Sequence, residues 1–130
     1  MIDLRCVRSD VGGRPVLAID GIADLAALPR LHDELQRFTA DHPGDAVAID
    51  VDGLAVLDDA ALGLLLGAAA TARAGGGDLT VVCTERRLRE RLELTGFARA
   101  VPVTTSLSAA VSDRAGVASY DRGMGEDRKP

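Results

Sequence analysis

The stretch AVAIDVDGLAVLDDAALGLLLGAAATARAGGGDLTVV, from Ala46 to Val82, decides the fold. It opens with the short apolar run Ala46 to Val51, which lacks the polar alternation of a strand with one wet face and so predicts a central, covered strand. Two acids follow, Asp58 and Asp59, either of which can cap a helix: a carboxylate there accepts from free first-turn amides and is favoured by the positive end of the helix dipole. From Ala60 to Arg73 the residues are almost all Ala, Leu and Gly, and Gly75-Gly76-Gly77 then ends the helix. Leu79 to Cys83 is apolar and β-branched, a second buried strand. A strand, a helix and a strand joined this closely form a right-handed crossover with parallel strands.

The flanks extend this pattern. Ile2 to Val7 and Pro15 to Ile19 are apolar segments separated by SDVGGR, whose Gly12-Gly13 pair permits a tight hairpin. After Asp20-Gly21, residues Leu28, Leu31, Leu35 and Phe38 recur at helical spacing, with Pro29 tolerable only in the first turn. Downstream, TERRLRERLELTGF predicts a helix capped by Thr84 and stopped at Gly96, then AVPV a short strand and SLSAAVSD a short helix opened by Ser106. The order is β-β-α-β-α-β-α-β-α: an α/β domain with an N-terminal hairpin, a mixed but mostly parallel sheet and about four helices. Residues 1–113 form one domain; residues 114–130, aperiodic and rich in Gly, Arg and Asp, are expected to be a disordered tail.

Composition narrows the functional classes. At 130 residues the chain fits one domain, and its 47% hydrophobic content with only two Phe, one Tyr and no Trp means an aliphatic core. A formal charge of -5 repels phosphate backbones, so no nucleic-acid partner is expected. The most apolar run, Ala60 to Ala72, falls short of the roughly 20 residues that cross a bilayer, and the charged N-terminus lacks a signal core. These features predict a cytoplasmic protein with no direct membrane insertion. Cys6 and Cys83 lie in strand-like segments with no second ligand nearby, and His32 and His42 read as solvent-facing; no metal or other cofactor is expected.

Four landmarks, in order, resemble a STAS domain of the anti-sigma-factor antagonist type: DGIAD (Asp20 to Asp24), AIDVDGLAVLDDAALGLLL, ARAGGGDLTVV and RRLRERLELTGFARAVPV. The first is similar to the family's turn after the second strand. The second is similar to its strand, Asp-Ser-Ser-Gly-Leu-Gly motif and helix. In such proteins the second Ser of that motif is phosphorylated by a partner kinase that is also the anti-sigma factor, and the phosphate ends binding. The match sets Asp58 at the Asp, Asp59 at the first Ser, Ala60 at the acceptor Ser and Ala61 at the Gly, with Leu62 and Gly63 unchanged. Ala60 has no hydroxyl, so no phosphorylation is expected there.

The resemblance implies a regulatory binding module, not an enzyme, whose partner is an anti-sigma factor or serine-kinase-like protein. Partner-binding candidates are Asp24, Asp58, Asp59, Ala60, Ala61, Leu62, Arg86 and Arg87. Two readings of Ala60 stand open. It locks the domain in the binding-competent form, or Asp59 supplies a standing charge that favours the other; the first is preferred because one carboxylate imitates a phosphate poorly. Loss of the switch also suits an adaptor subunit of a transporter, of the lipid-transport ABC type, or of another signalling complex. Against these stand plainer readings. Asp58, Asp59 and Asp24 cap helices, and Arg86 to Arg91 interleave with Glu85, Glu90 and Glu93 as a solvated face. Gly63 and Gly67 are expected to pack a helix closely on the sheet. Thr71, Thr84 and Thr95 are alternative phosphoacceptors.

Overall fold

A computed structural model of the chain describes residues 3–107. The predicted tail lies outside the described residues, as does the last predicted helix beyond Leu107. The chain opens with an antiparallel hairpin of β1 (Arg5–Val11) and β2 (Arg14–Ala23). Gly12 and Gly13 take φ of 59° and 84°, the paired positive values that match a two-residue turn to the strands' twist. A single 3-10 turn (Leu25–Ala27) leads into α1 (Leu28–Asp41), with Pro29 in the first turn as expected. β3 (Ala46–Leu57), α2 (Asp59–Ala74), β4 (Asp78–Val82), α3 (Arg86–Leu94), α4 (Phe97–Ala100) and β5 (Val103–Thr104) follow.

The five strands stand in sequence order, β1-β2-β3-β4-β5, antiparallel at the first pairing and parallel at the rest. Because the parallel strands advance in one direction, right-handed crossovers place their connecting helices on the same face. The core is accordingly one-sided. Leu17, Ile19, Val47, Ile49, Val51, Leu79 and Val81 meet Leu31, Leu35 and Phe38 of α1, Leu62 and Leu65 of α2, and Leu92 and Phe97 beyond. On the opposite face a small cluster, Val16, Ala48 and Val82, packs with Val11 and Leu107. Val47, Ala48 and Ile49 are all buried, so this part of β3 is covered on both faces.

Several predicted boundaries move. β2 and β3 both run on, to Ala23 and Leu57, where Ile19 and Val51 were expected to end them. Asp20-Gly21 is therefore strand rather than turn: Gly21 takes a φ of 99° and the pairing with β3 shifts register there, so the glycine makes a bulge instead of a reversal. Gly53 opposite has the same origin, since a Cβ on it would lie 1.8 Å from Oδ1 of Asp20. The cap of α3 is Glu85, not Thr84; its carboxylate accepts from the amides of Leu88 at 2.8 Å and Arg87 at 3.2 Å. Gly96 ends α3 as expected, but α4 follows at once and brings Phe97 into the core. The last strand falls at Val103–Thr104 instead of beginning at Ala100, because Pro102 has no amide to give a ladder.

Gly63 and Gly67 also correct an expectation. Both are exposed, and a Cβ built on either would meet nothing within 4 Å beyond its chain neighbours and the backbone of its own helix, so neither packs α2 on the sheet. They line a cavity of about 180 Å³ between α1 and α2 whose other walls include Leu35, Thr39, Leu64 and Ala68. Cys83 is buried and Cys6 half-buried, both free, and burial pushes each thiol up to about 11, as suits small core hydrophobes. Among the described residues no helix is long and apolar enough to cross a membrane.

Candidate partner-binding site at the start of helix α2

β3, the central strand, delivers the chain to the C-terminal end of the parallel strands and α2 begins there. Leu57, the last strand residue, is 5% exposed and anchors the turn in the core. The amide of Asp58 donates to the carbonyl of Ala23 at 3.0 Å, tying the helix start to the end of β2. Asp58 holds the N-cap place with extended backbone (φ -74°, ψ 159°), and its carbonyl accepts from the amides of Ala61 and Leu62 at 3.0 and 3.2 Å. Its carboxylate makes no capping bond, contrary to the expected role. Asp58 is half-buried at the lip of the turn, with a carboxylate not spent on the helix.

Asp59, in the first turn of α2, does not cap either. Its side chain is 86% exposed and accepts from Nη2 of Arg91 at 2.5 Å, while Nη1 of the same guanidinium donates to the carbonyl of Leu57. Ala60 is exposed, one residue further into the helix. Ala61 and Leu62 turn inward, at 0% and 5% exposure, so they hold the helix on the core and leave Asp58, Asp59 and Ala60 as the accessible residues.

Asp24 is brought close by the bond between Ala23 and Asp58. It caps the 3-10 turn, its Oδ1 accepting from the amide of Ala27 at 3.2 Å. Leu25 beside it is 70% exposed and Val56 beside Leu57 is 39% exposed, so apolar surface flanks the acids. Arg86 and Arg87 lie exposed in the first turn of α3, Arg86 being paired with Glu90 at 3.2 Å. The residue of that basic run which touches the helix start is Arg91. In sequence Arg91 is one of several alternating charges, although its place beside Leu92 and one turn after Leu88 sets it at the border of the buried stripe.

Among the described residues no group of three or more His, Cys, Asp or Glu is placed to hold a metal ion. Thr71, Thr84 and Thr95 are all exposed; the hydroxyl of Thr84 donates to Asp52 at 2.9 Å and that of Thr95 to the carbonyl of Leu92 at 3.2 Å.

Residues 6–105 match the family described as Mlab, STAS domain. The chain belongs to the STAS-domain family. No curated protein matches it. Among solved structures, the STAS fold is shared with an anti-sigma factor antagonist from Mycobacterium paratuberculosis, at 22% identity and a TM-score of 0.76 over 85% of this chain and 93% of that one. The anti-sigma factor antagonist SpoIIAA in its unphosphorylated form matches at 16% identity and a TM-score of 0.63, over 88% and 97% of the two chains. The phosphorylated form of the Bacillus cell fate determinant SpoIIAA gives 16% and 0.59, over 87% and 99%. At these identities the likeness is one of fold, and it runs over nearly the whole of each antagonist.

Proposed function

We propose that this STAS domain is a regulatory protein-binding module without catalysis of its own, and that the start of α2 is its contact surface. The observation that carries this reading is Ala60: an exposed residue in the first turn of α2, at the position where the sequence resembles the phosphoacceptor of anti-sigma-factor antagonists. Asp58, Asp59 and Ala60 make the contact, Asp24 borders it, Ala61 and Leu62 support it from the core, and Arg86 and Arg87 extend it along α3. The partner is an anti-sigma factor of the serine-kinase type. With a methyl group at residue 60 the kinase reaction has no acceptor there, and binding is not ended by phosphate.

A titration of the full chain with the kinase-type anti-sigma factor of the same genome, with and without ATP, tests this. Binding that ATP does not abolish, with no phosphate on the chain by mass spectrometry, is the expected result. An Ala60→Ser chain that gains phosphate and then releases the partner would complete it. Absence of binding to any such regulator would sink the reading.

The same alanine favours a second reading, a STAS adaptor subunit of a transporter of the lipid-transport ABC type, since a constitutive subunit needs no switch. Co-purification of the chain with transporter components rather than with a kinase separates the two.

A further inference from the structure

The guanidinium of Arg91 joins three elements. Nη2 donates to Oδ1 of Asp59 at 2.5 Å, in the first turn of α2; Nη1 donates to the carbonyl of Leu57, the last residue of β3; the side chain itself comes from the last turn of α3. The two acceptors lie on either side of Asp58, whose own amide is held by Ala23. A fork of this shape fixes both distance and angle, which a single ammonium does not. Asp59 is 86% exposed and meets Arg91 through one carboxylate oxygen, Oδ1, while Arg91, at 34%, is the more sheltered partner of the pair.

We propose that Arg91 is a positioning residue that pairs with Asp59 and pins the turn from Leu57 to Asp59, so that the surface at residue 60 is that of an unmodified switch. This rests on the reading of the helix start as a partner surface, and it decides how Asp59 is to be read there. A phosphate-like charge must be free to repel or clash with a partner. The carboxylate of Asp59 is instead engaged within the domain, and Asp58, whose carboxylate makes no capping bond, carries the acid that the partner meets. A basic side chain on the partner is its complement.

Amide hydrogen exchange on the full chain, without any partner, tests the pinning. Arg91→Ala is expected to raise the exchange of the Asp58, Ala61 and Leu62 amides by about tenfold while Leu79 and Val81 keep theirs. Arg91→Lys, which keeps the charge but not the fork, should fall between, and it carries the test should the alanine variant unfold. Adding Asp59→Ala to the arginine variant should change little more, because the contact it removes is already lost with the arginine. Slowly rotating Arg91 Nη protons in the NMR spectrum of the wild-type chain, lost in Asp59→Ala, are the expected signature of the pair. Exchange within twofold of wild type in both arginine variants, or fully additive effects of the two substitutions, would overturn the proposal. Failure of the wild-type chain to bind a partner strikes the functional reading and leaves these measurements unaffected.

Discussion

Asp52 of β3 holds Thr84, the second residue after β4, through both groups the threonine can donate: Oδ1 accepts from its amide at 2.6 Å and Oδ2 from its hydroxyl at 2.9 Å. A third bond at 3.3 Å comes from the amide of Glu85. One carboxylate thus fixes the whole turn between β4 and α3. This is why Thr84, a good cap by residue type, is not the cap of α3. Its hydroxyl is committed to Asp52, and Glu85, one position on, takes the free amides. Asp52→Ala should destabilise the domain by about 1–3 kcal/mol, since two backbone donors lose a charged acceptor, and Asp52→Asn by less. Urea unfolding of the three proteins side by side checks the order.

The glycines of α2 and of the turn after it should respond in opposite ways to the same change. Gly63 and Gly67 sit inside a helix with open space where a Cβ would go. Alanine at either should stabilise the chain by about 0.5–1 kcal/mol through helix propensity alone. At Gly77 a Cβ would lie 2.2 Å from the carbonyl oxygen of Asp45, a backbone atom that cannot swing aside. Gly77→Ala should therefore cost about 1–3 kcal/mol as the turn is forced apart. The midpoints of chemical denaturation for the three variants should fall on both sides of the wild type.

The fold was legible because each element announces itself locally. The buried run at Ala46, the Ala- and Leu-rich helix from Ala60 and the strand at Leu79 differ in period and are separated by glycine, and their order leaves one handed connection. What escaped depends on contacts across the chain. Asp20-Gly21 has the composition of a turn, and only the pairing of β2 with β3 makes it a bulge. Phe97 follows a helix stop and gives no sign that another helical turn will carry it into the core. At the site, the position of Ala60 could be read from its neighbours in sequence. The bond between Asp59 and Arg91 could not, because residues 32 apart meet only when α3 packs beside the end of β3.

The two thiols make stability depend on pH in the alkaline range. Burial raises Cys83 from 9.0 to about 11, and Cys6 likewise, so the folded chain keeps protons that the unfolded chain releases. Between about pH 9 and 11 the unfolded state binds fewer protons, so stability is fully present below that window and falls as pH rises through it. For the buried Cys83 the slope is at most about 1.4 kcal/mol per pH unit. Cys83→Ala should be less stable at pH 8, having lost side-chain packing, and should lose stability less steeply from pH 9 to 10. Parallel slopes for the two chains would show that this thiol titrates alike in both states.

Ala60 offers a substitution in which folding and binding should move apart. It is exposed in the first turn of α2, where the helix presents the positive end of its dipole and backbone amides without helical acceptors. Ala60→Asp adds a charge that this environment favours, so the domain should gain about 0.3–1 kcal/mol or hold level. If the same residue lies at a protein interface, the charge is buried on association without a built partner and affinity should fall by tenfold or more. Thermal unfolding of the variant alone, set beside its titration with the kinase-type anti-sigma factor, reads both quantities from one protein. A fall in stability would contradict the helix-start account, whereas unchanged affinity would place the partner's contact away from residue 60.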